Sequence, residues 1–138
     1  NTNIQRKTNM ILKIDMAGGI PIYQQIRNQI VYGVATGLLE MGEQLPTVRQ
    51  LAADIGVNPM TVSKAYGLLK DEGVILIDRR HGAKINELPV FNESLAADFD
   101  QRAELLISEA LMKGVPEEKL KEHLLILIEK IYGKRELL

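Results

Sequence analysis

The residues best able to do chemistry in this chain are the helix caps, hydroxyls and cations of one short stretch. From Leu45 to Gly73 the sequence reads LPTVRQLAADIGVNPMTVSKAYGLLKDEG, without a cysteine or a histidine. The chain shows no nucleophile paired with a base, no phosphate-binding glycine loop and no set of metal ligands, so we expect neither an enzyme nor a cofactor. Hydroxyls and single cations bind through hydrogen bonds and charge, which is typical of a surface that recognises another molecule.

Two helix starts and one helix end fall close together in this stretch. Thr47 and Gln50 match a capping box, in which each side chain accepts a hydrogen bond from the other residue's backbone N–H. Gly56 occupies the position just past a helix end, where a positive φ is needed. Asn58 is predicted to cap the next helix, with Pro59 as its first residue. The pattern therefore predicts two short helices joined by a tight turn.

The second of these helices has two different sides. Apolar residues at i, i+3, i+4 and i+7 predict the inner side: Val62, Ala65, Tyr66 and Leu69. The opposite side is small and polar, with one cation, and consists of Met60, Ser63, Lys64, Gly67 and Asp71. Around the turn at Gly56, small and apolar residues stand where a helix-turn-helix needs them: Leu51, Ala52, Ile55, Val57, Val62 and Ala65.

The flanking segments complete a winged helix-turn-helix. An apolar residue at every fourth position predicts a helix from Pro21 to about Leu39. After the second short helix, VILID and AKIN are predicted as the strands of a β-hairpin, with RRHG as its turn. We therefore expect a fold that is mainly α with a small β-hairpin wing. Its DNA-binding domain would span residues 21–88, after an N-terminal extension or arm at 1–20 in which Met10 is a candidate native start.

This arrangement predicts DNA binding. A helix fits the major groove, its N-terminal residues reach base edges, and its free backbone amides attract phosphate. The candidate DNA-contacting residues are Thr47, Arg49, Asn58, Met60, Thr61, Ser63 and Lys64 on the two helices, and Arg79, Arg80, His81 and Gly82 in the wing. A solvated turn is an equally good interpretation of Arg79 and Arg80. For His81 we favour a DNA contact over metal binding, because the second histidine, His123, lies far along the chain.

The composition changes after the wing, and two further helices are predicted. One runs from Ser94 to Met112; Gly114 interrupts it, and Pro116 begins the last helix, which is apolar on more than one side. We expect residues 89–138 to form a short two-helix dimerisation domain that buries this surface against a second subunit through Leu95, Phe99, Leu106, Leu120, Leu124, Leu127, Ile128 and Ile131. The alternative is that the two helices fold back on the first domain.

Charge is distributed unevenly along the chain. The formal net charge is −1, divided as +1 over residues 1–43, +2 over 44–86 and −4 over 87–138. A weakly basic body with an acidic tail permits a local phosphate-binding face. The sequence has no apolar run of about 18 residues, no secretory signal and no cysteine, so we expect a cytoplasmic protein that does not enter a membrane.

The stretch GEQLPTVRQLAADIGVNPMTVSKAYGLLKDEGVI, with the later HG, resembles the DNA-binding domain of the GntR family of bacterial transcription regulators over about residues 21–86. The segment VNPMTVSKAY, with only about fifty residues after the wing, resembles the small YtrA-like branch. The resemblance implies a homodimer formed by the C-terminal helices and a gene often located beside ABC-transporter genes. It also implies DNA contacts at Arg49, Thr61, Ser63, His81 and Gly82. Many relatives carry arginine where this chain has Pro59 and Ser63.

The functional prediction is a sequence-specific transcription regulator, a homodimeric repressor that binds a two-fold symmetric operator in double-stranded DNA. The alternative is a winged-helix protein-interaction module that does not read DNA, which the negative net charge and the few cations on the recognition helix favour. No small-molecule effector is identified, because the tail is too small to enclose a typical pocket unless the dimer interface forms one.

Overall fold

The computed structural model of the chain describes residues 12–91 and 95–136. These residues form five helices and one antiparallel hairpin, which confirms a fold that is mainly α with a small β-hairpin wing. The elements are α1 (Ile22–Ala35), α2 (Val48–Ile55), α3 (Pro59–Asp71), β1 (Ile75–Asp78), β2 (Gly82–Ile85), α4 (Phe99–Met112) and α5 (Glu117–Glu136). They belong to two compact units, Asn1–Leu88 and Pro89–Leu138. Met10, the candidate start, and Ser94, the predicted helix start, lie outside the described residues.

Helix α1 ends earlier than the sequence pattern predicted. It ends at Ala35 instead of near Leu39. The Thr36 hydroxyl donates a hydrogen bond of 2.8 Å to the Tyr32 carbonyl, and Gly37 adopts a φ of +79°, so the chain reverses here. The apolar side chains of α1 that reach the core still follow the predicted spacing of four: Ile26, Ile30 and Val34.

The turn between α2 and α3 has the predicted caps. The Thr47 hydroxyl accepts a hydrogen bond from the Gln50 N–H at 3.1 Å, and the Gln50 side-chain oxygen accepts one from the Thr47 N–H at 2.9 Å. Gly56 ends α2 with a φ of +70°. At the start of α3, Asn58 Oδ1 accepts a hydrogen bond from the Met60 N–H at 2.8 Å. These bonds satisfy donors that a helix start leaves open, and so they fix where both helices begin.

Helix α3 lies at the centre of the first unit, because α1, α2 and β1 all pack against it. Its predicted inner side is buried, as expected: Val62, Ala65, Tyr66 and Leu69. The other buried apolar side chains of this core are Ile26, Ile30, Val34, Leu39, Leu45, Leu51, Ala52, Ile75, Ala83 and Ile85. Removing a large apolar side chain from water contributes about 1.5–3 kcal/mol, so this core holds the outer side of α3 in a defined position.

The hairpin is attached to the segment that leads into α2. Strands β1 and β2 pair antiparallel, from Ile75 opposite Ile85 to Asp78 opposite Gly82. Residues 42–45 add a third row of backbone hydrogen bonds along β2, with N···O distances of 2.8–2.9 Å. Backbone hydrogen bonds therefore join the wing to the loop between α1 and α2.

An extended segment at residues 12–15 lies along α1, within the predicted N-terminal arm. Gln29 accepts a hydrogen bond from the Lys13 N–H at 2.9 Å and donates one to the Lys13 carbonyl at 2.8 Å. Gln25 does the same with Asp15, at 2.8 and 2.9 Å. Four residues of helix rise about 6 Å, close to the length of two extended residues, so the two spacings match. Two side chains of the segment pack against the core: Leu12 and Ile14.

In the second unit α4 begins at Phe99, later than the predicted start at Ser94. Residues 97–98 form a turn, and Asp98 and Asp100 place negative charge at the helix N-terminus, where the helix dipole favours it. Gly114 has a φ of +84° and separates α4 from the 20-residue helix α5, as predicted.

Candidate nucleic-acid interface

The first two turns of α3 present the side chains predicted to contact bases. Met60, Ser63 and Lys64 are exposed and Thr61 is half-buried. Met60 is exposed over 78% of its surface, although it is the largest apolar side chain in the first turn. Asn58 caps the helix beneath these residues. The start of the helix therefore offers hydroxyls and one thioether, which suit hydrogen bonds and close apolar contact.

A shallow depression of about 560 Å³ lies between the starts of α1 and α3. It is lined by five of the predicted residues and by one that was not predicted: Asn58, Met60, Thr61, Ser63, Lys64 and Tyr23. The Lys64 ammonium nitrogen lies 4.0 Å from the centroid of the Tyr23 ring, which is a cation–π contact. The depression is thus formed by α1 and α3 together, and the ammonium group of Lys64 on α3 is held toward α1.

The predicted residues on α2 differ in their surroundings. The Thr47 hydroxyl is engaged by the Gln50 N–H, so its first role is to cap the helix. Arg49 is exposed and forms no ion pair with any residue that the structure describes. Arg49 is therefore the residue of this helix that can best meet an external anion.

The wing turn is organised by the carboxylate of Asp78. It accepts a hydrogen bond from the Arg80 N–H at 2.7 Å, and its other oxygen lies 3.2 Å from His81 Nδ1. The Arg80 backbone hydrogen bond, with a smaller contribution from the His81 side chain, lowers the pKa of Asp78. The side chains of Arg79 and Arg80 remain exposed beside this turn.

Gly82 joins the wing turn to β2 and has a φ of +75°. A Cβ added here would come no closer than 3.8 Å to the nearest heavy atom, the Gln44 side-chain nitrogen. Space within the protein therefore does not require glycine at this position, but the backbone conformation does. The Gln44 side chain also donates a hydrogen bond to the His81 carbonyl, which ties the wing to the loop before α2.

Two contacts fix α3 against its neighbours. The Tyr66 hydroxyl donates a hydrogen bond of 2.8 Å to the Pro46 carbonyl, and burial raises the pKa of the Tyr66 phenol. At the helix end, Arg27 on α1 meets Glu72 through Nε–Oε1 at 2.9 Å and Nη2–Oε2 at 3.1 Å. Helix α3, which carries the candidate contacts, is thus held both to the loop before α2 and to α1.

Tyr23 and Gln44 are the residues of this surface that sequence reasoning missed. Both act across long sequence separations, Tyr23 on Lys64 and Gln44 on His81, so no local spacing identifies them. The available signal was an aromatic residue, Tyr23, at the second position of α1.

None of the eight predicted dimerisation residues is fully buried: Leu120, Leu124 and Ile131 are half-buried, and the others are exposed. Four of them line a groove of about 340 Å³ between α4 and α5: Leu106, Leu120, Leu124 and Leu127. Leu95 and Ile128 are exposed, at 58% and 52%, as is Phe99. Leu95 precedes α4 and does not belong to it, which corrects the prediction that it lies within the helix.

No helix among the described residues has the length and apolar character needed to cross a membrane. In the same part of the chain, no group of three or more histidine, aspartate or glutamate side chains is arranged to hold a metal ion.

Comparison with known proteins identifies related sequences. The family model described as bacterial regulatory proteins, gntR family, matches residues 21–85. Among curated proteins, the HTH-type transcriptional repressor YtrA of Bacillus subtilis is 38% identical over 114 residues, which cover 81% of this chain and 88% of that protein.

The chain is also similar to solved structures. A structure described as a transcriptional antiterminator from Listeria monocytogenes superposes with a TM-score of 0.78 at 30% identity, over 91% of this chain and 96% of that one. YtrA from Sulfolobus acidocaldarius, described as a GntR-family transcription factor, superposes with a TM-score of 0.59 at 35% identity, over 75% of this chain and 99% of that one.

Proposed function

The chain belongs to the gntR family of bacterial regulatory proteins, and we propose that it is a sequence-specific repressor of transcription that binds a two-fold symmetric operator as a homodimer. The observation that carries the proposal is the exposed first turn of α3 on a helix whose inner side is buried in the core. The first turn of α3 is held in place by the caps at Asn58 and Thr47, by the left-handed conformation of Gly56 and by the Tyr66 hydrogen bond. A rigid helix start of this kind suits the major groove.

Two further surfaces support a DNA contact. Arg49, at the start of α2, is exposed beside a helix N-terminus and suits a phosphate. The wing presents Arg79, Arg80 and His81 on a turn that the Asp78 carboxylate organises. Contacts of this kind position a protein on the duplex, while the start of α3 reads the bases.

Repression and the regulated genes are proposed on separate grounds. The Bacillus subtilis relative is named a transcriptional repressor and is aligned over most of its length. A repressor acts by occupying a promoter, so the purified protein should reduce transcription from a template that carries its operator. A promoter of ABC-transporter genes is our first candidate, because the chain resembles the YtrA-like branch.

Dimerisation is proposed from the apolar surface of the second unit. Leu105, Leu111 and Ile126 on α4 and α5 are each more than half exposed, beside the predicted residues Leu106 and Ile128. Exposed apolar side chains in this number suit a protein contact, and a second copy would place two recognition helices on a symmetric site. Ile128→Glu should therefore give a monomer in sedimentation, whereas Leu38→Glu, at an exposed apolar residue of the first unit, should not. A monomeric wild-type protein would contradict the proposal.

The DNA proposal is tested by selecting duplexes from a random library with the full chain. The selected duplex should bind about a thousandfold or more tighter than a scrambled duplex, and its affinity should fall steeply with added salt. Ser63→Ala, at the reading end of α3, should change the preferred sequence. Lys70→Gln, at the far end of the same helix, is the matched control and should leave that preference unchanged.

The second candidate function is a protein-interaction module. It is favoured by the net charge of −1 and by the position of Lys64, the single cation in the first two turns of α3, over the Tyr23 ring. The same selection separates the two functions, because an interaction module would enrich no sequence and form no sequence-dependent complex at low salt.

A further inference from the structure

Met60 lies in the first turn of α3, at the end of the helix proposed to read the bases, and its side chain has not been assigned a DNA contact of its own. It is exposed over 78% of its surface, beside two hydroxyl groups, the Asn58 amide, the Tyr23 ring and one ammonium group. The backbone beneath it is fixed, because the Met60 N–H donates to Asn58 Oδ1 at 2.8 Å and the Thr61 N–H donates to the Asn58 carbonyl at 2.9 Å. The side chain therefore projects from a defined point and not from a loop.

The single cation in the first two turns of α3 does not lie in the first turn. Lys64 lies one turn further along α3, and its ammonium nitrogen is held 4.0 Å above the Tyr23 ring of α1. The first turn itself contains Pro59, Met60 and Thr61 and carries no charge. The contacts that commonly identify guanine, bidentate hydrogen bonds from arginine or lysine, are therefore not available from this turn.

The chemistry of Met60 suits one group in the major groove. A thioether donates no hydrogen bond and accepts only weakly, so it cannot recognise a base edge by the usual donor and acceptor pattern. The C5-methyl of thymine is the apolar group that the groove offers, and apolar side chains contact it. A flexible methionine can adapt its three side-chain torsions to cover a methyl group.

We propose that Met60 is a specificity-determining residue that recognises thymine through its C5-methyl group, at one position in each half of the operator. The proposal rests on the proposed function, because it requires α3 to lie in the major groove. Thr61 and Ser63 supply hydrogen bonds beside this contact, and Lys64 meets the phosphate backbone next to α1.

The test replaces each thymine of a selected duplex, one at a time, with uracil. This change removes only the C5-methyl and keeps the base pairing. For the full wild-type chain, we expect one thymine in each half-site to be sensitive. Replacing either of these two thymines should weaken binding about fourfold, the value expected for one buried carbon, and replacing both should weaken it about fifteenfold. Other replacements should have smaller effects. Affinity is measured by fluorescence anisotropy at fixed salt.

The variant Met60→Ala should bind the thymine and uracil duplexes equally at that position, because the side chain that covers the methyl is gone. Met60→Leu, which keeps an apolar side chain of similar volume, should retain the discrimination. Lys70→Gln, at the far end of α3, is the matched control and should also retain it. Circular dichroism tests whether each variant is folded. We expect all of them to fold, because the substituted positions are exposed.

Two results would overturn the inference in different ways. If uracil weakens wild type and Met60→Ala equally at every position, or if the selected half-sites contain no thymine, Met60 does not read the methyl although DNA binding stands. If the library yields no sequence-specific complex at all, the proposed function fails together with the inference.

Discussion

The hydroxyl of Tyr66 and the carbonyl of Pro46 are joined by a hydrogen bond of 2.8 Å, which connects the centre of α3 to the loop before α2. The phenol ring lies in the core and is only 3% exposed. A single residue therefore contributes both apolar packing to the core and a hydrogen bond that fixes the relative position of the two helices of the helix-turn-helix.

The first prediction concerns Tyr66→Phe. The variant leaves the Pro46 carbonyl without this donor, so we expect the free energy of unfolding at pH 7 to fall by about 1 kcal/mol in urea titrations. Tyr32→Phe, at an exposed tyrosine of α1, is the control and should change it little. An unchanged unfolding midpoint for Tyr66→Phe would mean that the hydrogen bond does not stabilise the fold.

Tyr66 should also make stability depend on alkaline pH. Burial raises its pKa above the ordinary value near 10, so the folded protein keeps a proton that the unfolded chain releases. This contribution is complete below pH about 10 and declines as the pH rises above it, by at most about 1.4 kcal/mol per pH unit. The decline between pH 9.5 and 11 should be steeper for wild type than for Tyr66→Phe. Parallel curves would refute the role of burial.

The second prediction contrasts two glycines. Gly56 has a φ of +70° with no atom within 4 Å of an added Cβ, so Gly56→Ala should destabilise through the backbone alone, by about 1–2 kcal/mol. Gly67, in the middle of α3, also has open space for a Cβ, and Gly67→Ala should stabilise by up to about 1 kcal/mol through helix propensity. Thermal unfolding of both variants measures the contrast. A shift in the same direction for both would show that backbone conformation does not govern Gly56.

The third prediction concerns Arg49. If its guanidinium meets a phosphate, Arg49→Ala should weaken binding to every duplex and reduce the slope of log affinity against log salt by about 1. Lys119→Ala removes the same charge from α5 and serves as the control, whose slope should equal that of wild type. A normal slope for Arg49→Ala would exclude the phosphate contact.

The fourth prediction concerns the pH dependence of the wing. The Arg80 N–H and His81 hold the pKa of Asp78 below its ordinary value, so the folded wing binds a proton less readily than the unfolded chain. The stabilisation is present above the unfolded pKa of about 3.9 and is lost as the pH falls through the lower folded pKa. The Arg80 amide proton should report this transition by NMR. In Asp78→Asn the titration should disappear, and a midpoint above pH 4 in wild type would contradict the account.

The central helices were predictable because their determinants are local. Thr47, Gly56 and Asn58 act on backbone groups within four residues of themselves, so their spacing alone located both helix starts and the turn. The inner side of α3 followed from helical period, since a single core covers that side.

The end of α1 and the contacts made across the fold were not predicted from the sequence. The apolar period of α1 continues to Leu38, but the Thr36 hydroxyl and the positive φ of Gly37 end the helix first. As a result Leu38 is 54% exposed while Leu39 is buried. The contact of Tyr23 with Lys64 likewise depends on the packing of α1 against α3, which no local spacing encodes.

The two glutamines of α1 have a consequence for how the N-terminal segment can vary. Gln25 and Gln29 bind peptide groups, and their partners at Asp15 and Lys13 contribute only a backbone N–H and carbonyl to those bonds. Any residue other than proline offers the same pair of groups. Substitution at position 13 should therefore be tolerated, because its side chain makes none of these bonds, whereas replacing Gln25 or Gln29 should loosen the attachment of the segment to α1.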